Sequence, residues 1–439
     1  MIQSITNHAQ LEQANAQLNC SLPFDDSLDA LRQPLQVKDR TVANRVAYQA
    51  MEGCDGTPDG SPDELTVRRY HRFAAGGPGV IWFEATAVQQ DGRANPRQLY
   101  MTKENKGNFA RLVQEIKEIC MRENGYEPLV IAQLTHSGRY SKPEGKPAPC
   151  IAYNNPIFEK DNPISAERIV TDEYLDRVGE NLVKSAVMAE EVGFDGVDIK
   201  CCHRYLLCEL LSAYNRAGKY GGNYENRTRL LREGVRGAVQ SCSDKFIVST
   251  RMNAYDGFPH PYGFGVNPGE DITPDWTEAI RLVGDLVEEG VPLINITMGN
   301  PYFNPHVNRP YNRGGYIPPE EPLQGVNRML MGIAEIQRAH PNVPIISSGL
   351  SWLGAISANV AAACVREGWF AMAGYGRMTL AYPNVARDIV NNDSLQPNKC
   401  CITCSKCTEI MRTLGGTPGC VIRDSETYMP IYKRQCMGK

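Results

Sequence analysis

TDEYLDRVGENLVKSAVMAEEVGFDGVDIK (Thr171–Lys200) contains one complete unit of a helix, a glycine and a strand. Thr171 precedes an acidic first turn, as the capping hydroxyl of a helix does. Gly193 ends the predicted helix in the position of a C-terminal capping glycine. The apolar run Gly196–Lys200 that follows has the length of a buried strand. A helix packed beside a buried strand is the repeating element of an α/β fold.

The same alternation recurs eight times between Asn44 and Asp388. The predicted strands are Asn44–Gln49, Gly79–Glu84, Leu129–Leu134, Gly196–Lys200, Phe246–Arg251, Leu293–Thr297, Pro344–Ser348 and Phe370–Tyr375. Strands with continuous apolar residues indicate a parallel sheet that helices cover on the outside. Eight units favour an α/β fold of the (β/α)₈ TIM barrel type, and a doubly wound sheet is the alternative.

Composition excludes several classes of function. The 439 residues carry a formal net charge of −4 and contain no basic block, which argues against nucleic acid as a partner. The longest apolar stretches, such as Ile356–Val365, are far shorter than the roughly 20 residues of a membrane span. Residues Met1–Asn19 lack the apolar core of a signal peptide. We therefore expect a cytoplasmic protein that does not enter a membrane.

Fifteen cysteines are present, and five of them lie close together near the end of the chain. In a reducing compartment such a group of thiols indicates metal ligation. The pattern Cys401-x₂-Cys404-x₂-Cys407-x₁₂-Cys420 places three thiolates on one tight loop and a fourth on a returning segment, enough to enclose a cluster. Tetrahedral zinc is the alternative, and Cys400 is an extra thiol that could replace Cys401.

These features divide the chain into three parts. Residues 1–30 form a lead segment, residues 31–395 form the barrel, and residues 396–439 form the cysteine-rich metal-cluster segment. Within the barrel, polar residues follow the strands at the edge where TIM barrels build their sites. Glycines follow the last two strands, as at Ser348-Gly349 and Gly376-Arg377, and bare backbone N–H groups there can approach a phosphate closely.

Seven segments carry a resemblance to a known family. They are NRVAYQAM, GPGVIWFEATAV, AQLTHSGR, GFDGVDIK with HRYLL, NRAGKYGGNYENRTR, IISSGL and AGYGRMTLAYP. In this order they resemble the old yellow enzyme family of FMN-dependent oxidoreductases, over roughly Leu31 to Val390. The resemblance implies a barrel that binds FMN and transfers hydride.

The resemblance also implies roles for individual residues around the flavin. Gln133 would bind the pyrimidine edge, and Arg251 would stabilise the anionic reduced flavin. The backbone at Ala50, Met51 and Ala85 would contact the isoalloxazine ring, and Gly349, Gly376 and Arg377 would hold the phosphate. The plainer interpretation is that strand-end glutamine and arginine side chains only cap the barrel rim.

The expected substrate residues depart from the family pattern. Many members carry two histidines, or a histidine and an asparagine, where this chain has Lys200 and His203. A lysine there suits a carboxylate or another anion, unless it points away from the site or pairs with an acid such as Glu84. Tyr205 resembles the family tyrosine that protonates the substrate carbon, and His306 resembles an active-site histidine of the dienoyl-CoA reductase branch.

The cysteine segment resembles the [4Fe–4S] site of the 2,4-dienoyl-CoA reductase and trimethylamine dehydrogenase branch, with intervals that differ by one residue. In that branch further dinucleotide-binding domains follow the cluster, whereas this chain ends nineteen residues after Cys420. We therefore expect electrons to reach FMN either from a redox partner protein through the cluster or directly from NAD(P)H.

Together these observations predict an ene-reductase that transfers hydride to the activated C=C bond of an enoate or enone. The alternative is an amine dehydrogenase or demethylase that passes electrons out through the cluster, and an aromatic loop favours it. A third interpretation is a flavin-storing or zinc-stapled protein without turnover. The expected partners are a small-molecule substrate and a redox protein, and a homo-oligomer is compatible with the sequence.

Overall fold

A computed structural model describes residues 5–269, 271–413 and 415–438. Eight strands form the barrel. They are β1 Val46–Tyr48, β2 Val80–Ala87, β3 Leu129–Thr135, β4 Gly196–Ile199, β5 Ile247–Tyr255, β6 Ile294–Met298, β7 Ile345–Ile346 and β8 Ala373–Tyr375. All pairings between neighbours are parallel and follow chain order, with β8 beside β1. A bridge between Ile346 and Met372 closes the remaining gap between β7 and β8. The fold is therefore the predicted (β/α)₈ barrel, and the doubly wound alternative is wrong.

Eight helices cover the barrel, one after each strand. They are α1 Glu64–Ala75, α2 Lys106–Asn124, α3 Asp172–Glu191, α4 Tyr224–Ser241, α5 Thr277–Glu288, α6 Pro322–Ala339, α7 Ser357–Arg366 and α8 Val385–Asn391. The start of α3 is fixed as expected, because the Thr171 hydroxyl accepts a hydrogen bond from the backbone N–H of Tyr174. Gly193 follows α3 with a φ of 92°, a conformation that favours glycine.

Shorter elements connect these units. The helices outside the barrel ring are His8–Leu18, Asp29–Arg32, Pro156–Glu159, Leu206–Leu211, Pro305–Asn308, Arg377–Ala381, Lys406–Met411 and Ser425–Cys436. Short 3₁₀ turns span Gln90–Gly92, Gly138–Tyr140, Ala166–Arg168 and Leu350–Ile356, and an antiparallel hairpin joins Leu35–Val37 to Arg40–Val42. No helix in the described ranges is both long and apolar enough to cross a membrane.

The C-terminal segment is attached to the barrel at α1 and at the loop between β1 and α1. The carboxylate of Asp424 accepts a hydrogen bond of 2.8 Å from Arg68 and also pairs with Arg72. Thr417 donates a hydrogen bond to Asp55, whose carboxylate forms a bidentate pair with Arg69 at 2.8 and 2.9 Å. These contacts hold the cysteine-rich segment over the mouth of the barrel.

Candidate functional site

A cavity of about 1040 Å³ opens at the carboxyl ends of the strands and is walled on one side by the C-terminal segment. Ten of the residues predicted from the sequence line it: Ala50, Met51, Gln133, Lys200, His203, Tyr205, Arg251, Gly349, Gly376 and Arg377. They meet because parallel strands of a barrel all end at the same face. From the C-terminal segment, Cys407, Thr408, Met411, Arg412 and Pro418 complete the wall.

Two of the residues predicted for the flavin and substrate sites lie outside this lining. Ala85 is buried within β2, and its carbonyl accepts a hydrogen bond of 3.2 Å from Gln98. His306 lies on the helix Pro305–Asn308, with Nδ1 in hydrogen-bond contact with the hydroxyl of Tyr316. That helix presents Asn308 to the cavity in place of His306, because residues two apart on a helix do not share a face.

A buried carboxylate fixes the groups at the floor of the cavity. Asp198 accepts hydrogen bonds of 2.6 Å from Gln133 Nε2, from Trp82 Nε1 and from the backbone N–H of Arg251. Burial raises the pKa of Asp198, although these three donors and the Arg251 charge oppose the shift. The Gln133 amide nitrogen thus donates to Asp198, whereas its carbonyl oxygen has no hydrogen-bond partner among the described residues. That oxygen can accept a hydrogen bond from a cavity ligand.

Arg251 crosses the floor without an ion-pair partner in the described ranges. Its guanidinium makes only long contacts of 3.4 Å, to the carbonyl of Ala50 and to the hydroxyl of Ser348, and its Nε is buried without a partner. Burial lowers the pKa of Arg251 from its usual value. A buried guanidinium in this state can accept an anionic ligand.

The end of the cavity near β7 and β8 is shaped for a phosphate. Gly349 has a φ of 92°, a left-handed conformation that few other residues adopt. A Cβ at Gly376 would lie 3.3 Å from Met51 Sδ and would narrow the cavity. Arg377 Nη2 donates to the carbonyl of Pro310 at 2.9 Å, whereas its Nη1 is buried with no partner in the described part of the chain. These residues fit the phosphate of FMN, which needs backbone N–H groups and a guanidinium.

Lys200 enters the cavity and does not pair with Glu84. Its Nζ lies 3.4 Å from the centre of the Tyr205 ring, in a cation–π contact. Burial lowers the pKa of Lys200, although nearby acids oppose the shift. Glu84 is instead hydrogen-bonded to Arg69 at 2.7 Å, so the suggested pairing of Lys200 with Glu84 is wrong.

His203 is held as a neutral hydrogen-bonding group. It has a φ of 62°, and its backbone N–H donates to the side-chain oxygen of Asn253 at 3.1 Å. Its Nε2 contacts the amide nitrogen of Asn308 at 3.0 Å. Burial lowers the pKa of His203 well below its usual value, and the cations Arg251 and Lys200 add to the shift. The imidazole is therefore uncharged at neutral pH.

Tyr205 belongs to a hydrogen-bonded group that sequence reasoning missed. Its hydroxyl donates to Glu52 Oε2 at 2.6 Å and lies 2.8 Å from the hydroxyl of Tyr302. The centre of the Tyr302 ring lies 4.1 Å from that of the Tyr140 ring, and the two ring planes are tilted by 33°. Glu52 follows Met51 just after β1. Its position after a strand was the one sequence signal that it could face the cavity. Tyr302 and Asn308 come from the long loop after β6, and no local pattern indicates which way their side chains point.

The four predicted metal ligands surround a second cavity of about 370 Å³. Cys401, Cys404, Cys407 and Cys420 all line it, and Cys407 also lines the larger cavity. Cys400 is turned away, with its thiol 3.4 Å from the carbonyl oxygen of Gln396. Cys400, unlike Cys401, does not line this cavity.

The backbone around these thiols forms a tight loop. Thr403 and Ser405 adopt left-handed conformations, with φ of 49° and 60°. The N–H of Thr403 donates to Cys401 Sγ at 3.4 Å, and the N–H of Arg423 donates to Cys420 Sγ at 3.3 Å. Hydrogen bonds to sulfur are one of the means by which proteins tune iron–sulfur sites.

The spacing of the thiols bears on which metal group they fit. In the described ranges, no three of these sulfurs lie within 4.8 Å of one another. Tetrahedral zinc with bonds of about 2.3 Å requires sulfur atoms about 3.8 Å apart. Burial raises the pKa of Cys401 to about 12, so the free thiol is protonated at neutral pH and needs a metal charge to ionise. A [4Fe–4S] cluster places its four thiolate ligands on four separate iron atoms, so it does not require the sulfurs to lie this close together.

A separate group of Asp91, His136 and Cys150 has ligand atoms within 4.8 Å of one another. The hydroxyl of Tyr174 lies among them, 2.8 Å from His136 Nε2 and 2.7 Å from Asp91. The N–H of Gly138 donates to His136 Nδ1 at 3.0 Å, which places the proton of the neutral ring on Nε2. His136 therefore has no free lone pair facing the group, and we interpret it as a hydrogen-bonded network.

Comparison with known proteins gave consistent matches. A sequence profile of the NADH:flavin oxidoreductase / NADH oxidase family matches residues 30–266. An NADPH dehydrogenase of Halalkalibacterium halodurans is 32% identical over 270 residues, which cover 60% of this chain and 71% of that protein. An NADPH dehydrogenase of Bacillus subtilis is 28% identical over 272 residues, covering 61% and 72%.

Solved structures match over more of the chain but at lower identity. A 2-naphthoyl-CoA reductase in complex with 2-naphthoyl-CoA superposes with a TM-score of 0.71 at 19% identity, over 90% of this chain and 57% of that one. A 6-hydroxypseudooxynicotine amine oxidase of Pseudomonas geniculata gives 0.66 at 20% identity, over 88% and 52%. The chain thus spans little more than half the length of these two proteins, and at such identities the likeness shows the fold alone.

Proposed function

The chain belongs to the NADH:flavin oxidoreductase / NADH oxidase family of FMN-dependent oxidoreductases, and from this premise we propose that it is an ene-reductase acting on an activated C=C bond. The preferred substrate is an enoate or a related anionic alkene. When bound, FMN supplies the hydride chemistry and NAD(P)H supplies the electrons. Side chains at the mouth of the barrel bind the flavin, bind the substrate and donate the proton.

Gln133 and Arg251 bind the pyrimidine edge of the flavin, and the backbone at Ala50 and Met51 contacts its ring system. The free carbonyl oxygen of Gln133 accepts a hydrogen bond, and the unpaired guanidinium of Arg251 stabilises negative charge on the reduced flavin. The phosphate is held by Gly349, Gly376 and Arg377, which form the bare-backbone end of the cavity. Ala85 contributes no side of this cavity, and we assign it no role.

On the substrate side, Lys200 and His203 bind the activating group. An ammonium and a neutral imidazole together polarise a carboxylate or carbonyl oxygen. Tyr205 then donates a proton to the carbon next to the activating group, opposite the position that receives hydride. We assign no catalytic role to His306, because its ring contacts Tyr316 outside the cavity lining.

The observation that carries this proposal is the position of the Lys200 ammonium, 3.4 Å from the centre of the Tyr205 ring. A fixed cation on that aromatic face attracts an anionic substrate and repels an alkylammonium ion. This favours alkene reduction over the amine dehydrogenase alternative. The aromatic rings of Tyr302 and Tyr140 favour the alternative.

We further propose that Cys401, Cys404, Cys407 and Cys420 hold a [4Fe–4S] cluster on a C-terminal segment of residues 396–439, beside the barrel of residues 31–395. The support is the cavity that all four thiols line and the wall that Cys407 shares with the flavin site. A cluster there would pass single electrons between FMN and a redox partner protein.

The proposal can be tested on anaerobically purified protein. Flavin, iron and acid-labile sulfide are quantified first, and about one FMN and four irons per chain are expected. The NADPH-reduced enzyme is then mixed with enoates, enones and methylated amines while flavin absorbance is followed. Rapid reoxidation by an enoate supports the proposal. Flavin reduction by an amine, with no reoxidation by any alkene, would replace ene-reduction with the amine alternative.

A further inference from the structure

Arg309 is a cation that the proposed function does not yet use. It follows the helix Pro305–Asn308 in the long loop after β6, and its side chain lines the large cavity. Its Nη1 donates a hydrogen bond of 3.2 Å to the hydroxyl of Ser405, which lines the second cavity together with the four thiols. The guanidinium therefore lies at the boundary between the flavin site and the cysteine loop of residues 401–407.

The contacts around Ser405 define where this guanidinium stands. The Ser405 hydroxyl donates in turn to the carbonyl of Arg313 at 2.8 Å, and the N–H of Asn312 donates to the hydroxyl of Thr403 at 3.3 Å. Thr403 and Ser405 flank Cys404, so the loop after β6 binds the cysteine loop on both sides of a proposed ligand. The fold thus fixes a positive charge relative to the thiols.

No acid neutralises this charge in the described part of the chain. Burial lowers the pKa of Arg309 to about 10, the charges of Arg377 and Arg412 add to the shift, and Cys407 opposes it. The guanidinium is still charged at neutral pH. All three arginines line the large cavity. Cations that stand together without an acid create a positive potential, which favours negative charge nearby.

The surroundings of the three arginines differ. Arg377 donates to the carbonyl of Pro310 at 2.9 Å and is the residue proposed to hold the phosphate of FMN. Arg412 is exposed and donates to the carbonyl of Pro301 at 2.7 Å, so solvent screens its charge. Arg309 is partly buried, and of the three it is the one with a hydrogen bond to the cysteine loop within the described ranges.

We propose that Arg309 stabilises the reduced form of the proposed [4Fe–4S] cluster and so raises its reduction potential, an inference that rests on the proposed function. Each electron that a cluster takes up from a redox partner adds one negative charge, and the charge is removed again when the electron passes to FMN. A fixed cation beside the thiolates lowers the free energy of the more negative state. Arg309 acts on the electron carrier and needs no contact with the substrate.

The test measures the reduction potential of the cluster in anaerobically purified holoenzyme. After iron and sulfide analysis, EPR-monitored titration with dithionite and mediator dyes compares the wild type with Arg309→Gln and Arg309→Lys. We expect Arg309→Gln to lower the one-electron reduction constant at least about tenfold, the effect of a unit charge over about 10 Å inside a protein. For one electron, tenfold corresponds to about 59 mV. Arg309→Lys keeps the charge and should stay within about threefold of the wild type.

Two further variants separate the charge from other effects. Arg313→Gln is the matched control, because Arg313 is exposed in the same loop and contacts the cysteine loop through its backbone carbonyl. Solvent screens its charge, so the potential should not change. Ser405→Ala keeps the charge of Arg309 but removes its hydrogen bond to the cysteine loop. We expect a shift in the same direction as in Arg309→Gln and smaller in size.

The outcomes distinguish this inference from the proposed function. An unchanged potential in Arg309→Gln, or an equal loss in Arg309→Gln and Arg309→Lys, would overturn the role of the Arg309 charge while leaving the cluster in place. Should Arg309→Gln not retain its iron, an unchanged potential in Ser405→Ala would overturn it in the same way. Wild-type protein without iron and sulfide would overturn the proposed cluster and this inference together.

Discussion

Lys200 lines the large cavity, and we propose that it binds the charge of the substrate. We expect Lys200→Gln to raise the KM for an enoate by about 10- to 100-fold, because a hydrogen bond to a charged group contributes about 1.5–3 kcal/mol. The KM for a neutral enone changes much less, since it offers no full charge to the ammonium. Steady-state kinetics with a matched enoate and enone measure the difference.

The control for this substitution is Lys184→Gln on α3. Lys184 is exposed, and among the described residues its one ion-pair partner is Glu180, one turn away on the same helix. Such surface pairs contribute little, so both KM values should match the wild type. An equal loss with enoate and enone in Lys200→Gln would contradict the assignment of Lys200 to substrate charge.

Glu84 gives the folding stability a specific pH dependence. Burial raises its pKa to about 7, although Arg69 opposes the shift. Between the unfolded value of 4.5 and about 7, the folded chain therefore holds a proton that the unfolded chain has released. This contribution to the free energy of unfolding is complete below the unfolded pKa and is lost as pH rises through about 7.

Glu84→Gln removes this titration while keeping a neutral side chain. We expect its free energy of unfolding to vary less between pH 5 and pH 8 than that of the wild type, as measured by urea denaturation at several pH values. The bidentate pair of Arg69 with Asp55 remains in the variant to hold the local structure. Identical pH profiles for the two proteins would show that Glu84 does not titrate in this range.

Single residues were predictable where a strand end fixes them. Gln133, Lys200 and Arg251 lie at the ends of apolar strands. The closed barrel brings these ends together at one face, independently of the conformation of the loops. Glu52 also follows a strand. The sequence does not indicate its hydrogen bond with Tyr205, because the two residues are 153 positions apart. The orientation of a side chain within a loop depends on contacts of this kind, which no local pattern contains.

At the scale of elements, the C-terminal segment depends on Asp424 for its attachment to α1. We expect Asp424→Asn to destabilise the docking by about 1–3 kcal/mol, because the carboxylate is largely buried and serves two arginines. Limited proteolysis should then release the segment faster than in the wild type. Asp393→Asn is the control, since its carboxylate is 95% exposed against Arg32 and should leave the proteolysis rate unchanged.

The cysteine loop allows a comparison between neighbouring thiols. We expect Cys404→Ser to lower the iron content of the purified protein by about tenfold or more, because the cluster loses a ligand. Cys400→Ser should keep its iron, since that thiol faces the carbonyl of Gln396 and not the second cavity. Iron and sulfide analysis of the two variants decides the matter, and equal iron loss would mean that the ligand set is wrongly assigned.

The order of strands and helices was predictable because apolar periodicity and capping residues mark each unit. The residues at which the strands end were less predictable. β5 continues to Tyr255, beyond the predicted end at Arg251, because an irregular pairing with β6 carries the ladder past that point. β7 is only two residues long, Ile345–Ile346, although the predicted strand was Pro344–Ser348. Such lengths are decided by pairing between strands, which the sequence of one strand does not contain.

At the scale of the whole molecule, the two cavities share a wall. Cys407, Arg377 and Leu380 line both the large cavity and the thiol-lined one. A one-electron carrier in the smaller cavity would therefore lie beside the flavin site, while the strand-end residues remain open to a nicotinamide. Under the proposed function electrons would have two routes to the flavin, one through the barrel mouth and one through the C-terminal segment.

These two routes can be separated with the cluster-deficient Cys404→Ser variant. We expect NADPH to reduce its flavin at a rate within about threefold of the wild type, a difference of less than 1 kcal/mol in the barrier. Reduction by a one-electron donor such as reduced ferredoxin should instead fall at least about tenfold, as the relay is missing. Both rates are read from flavin bleaching in anaerobic stopped flow, with Cys400→Ser as the control. If NADPH reduced only the iron-loaded proteins, hydride would not enter at the barrel mouth, and the cluster would be the obligatory entry point for electrons.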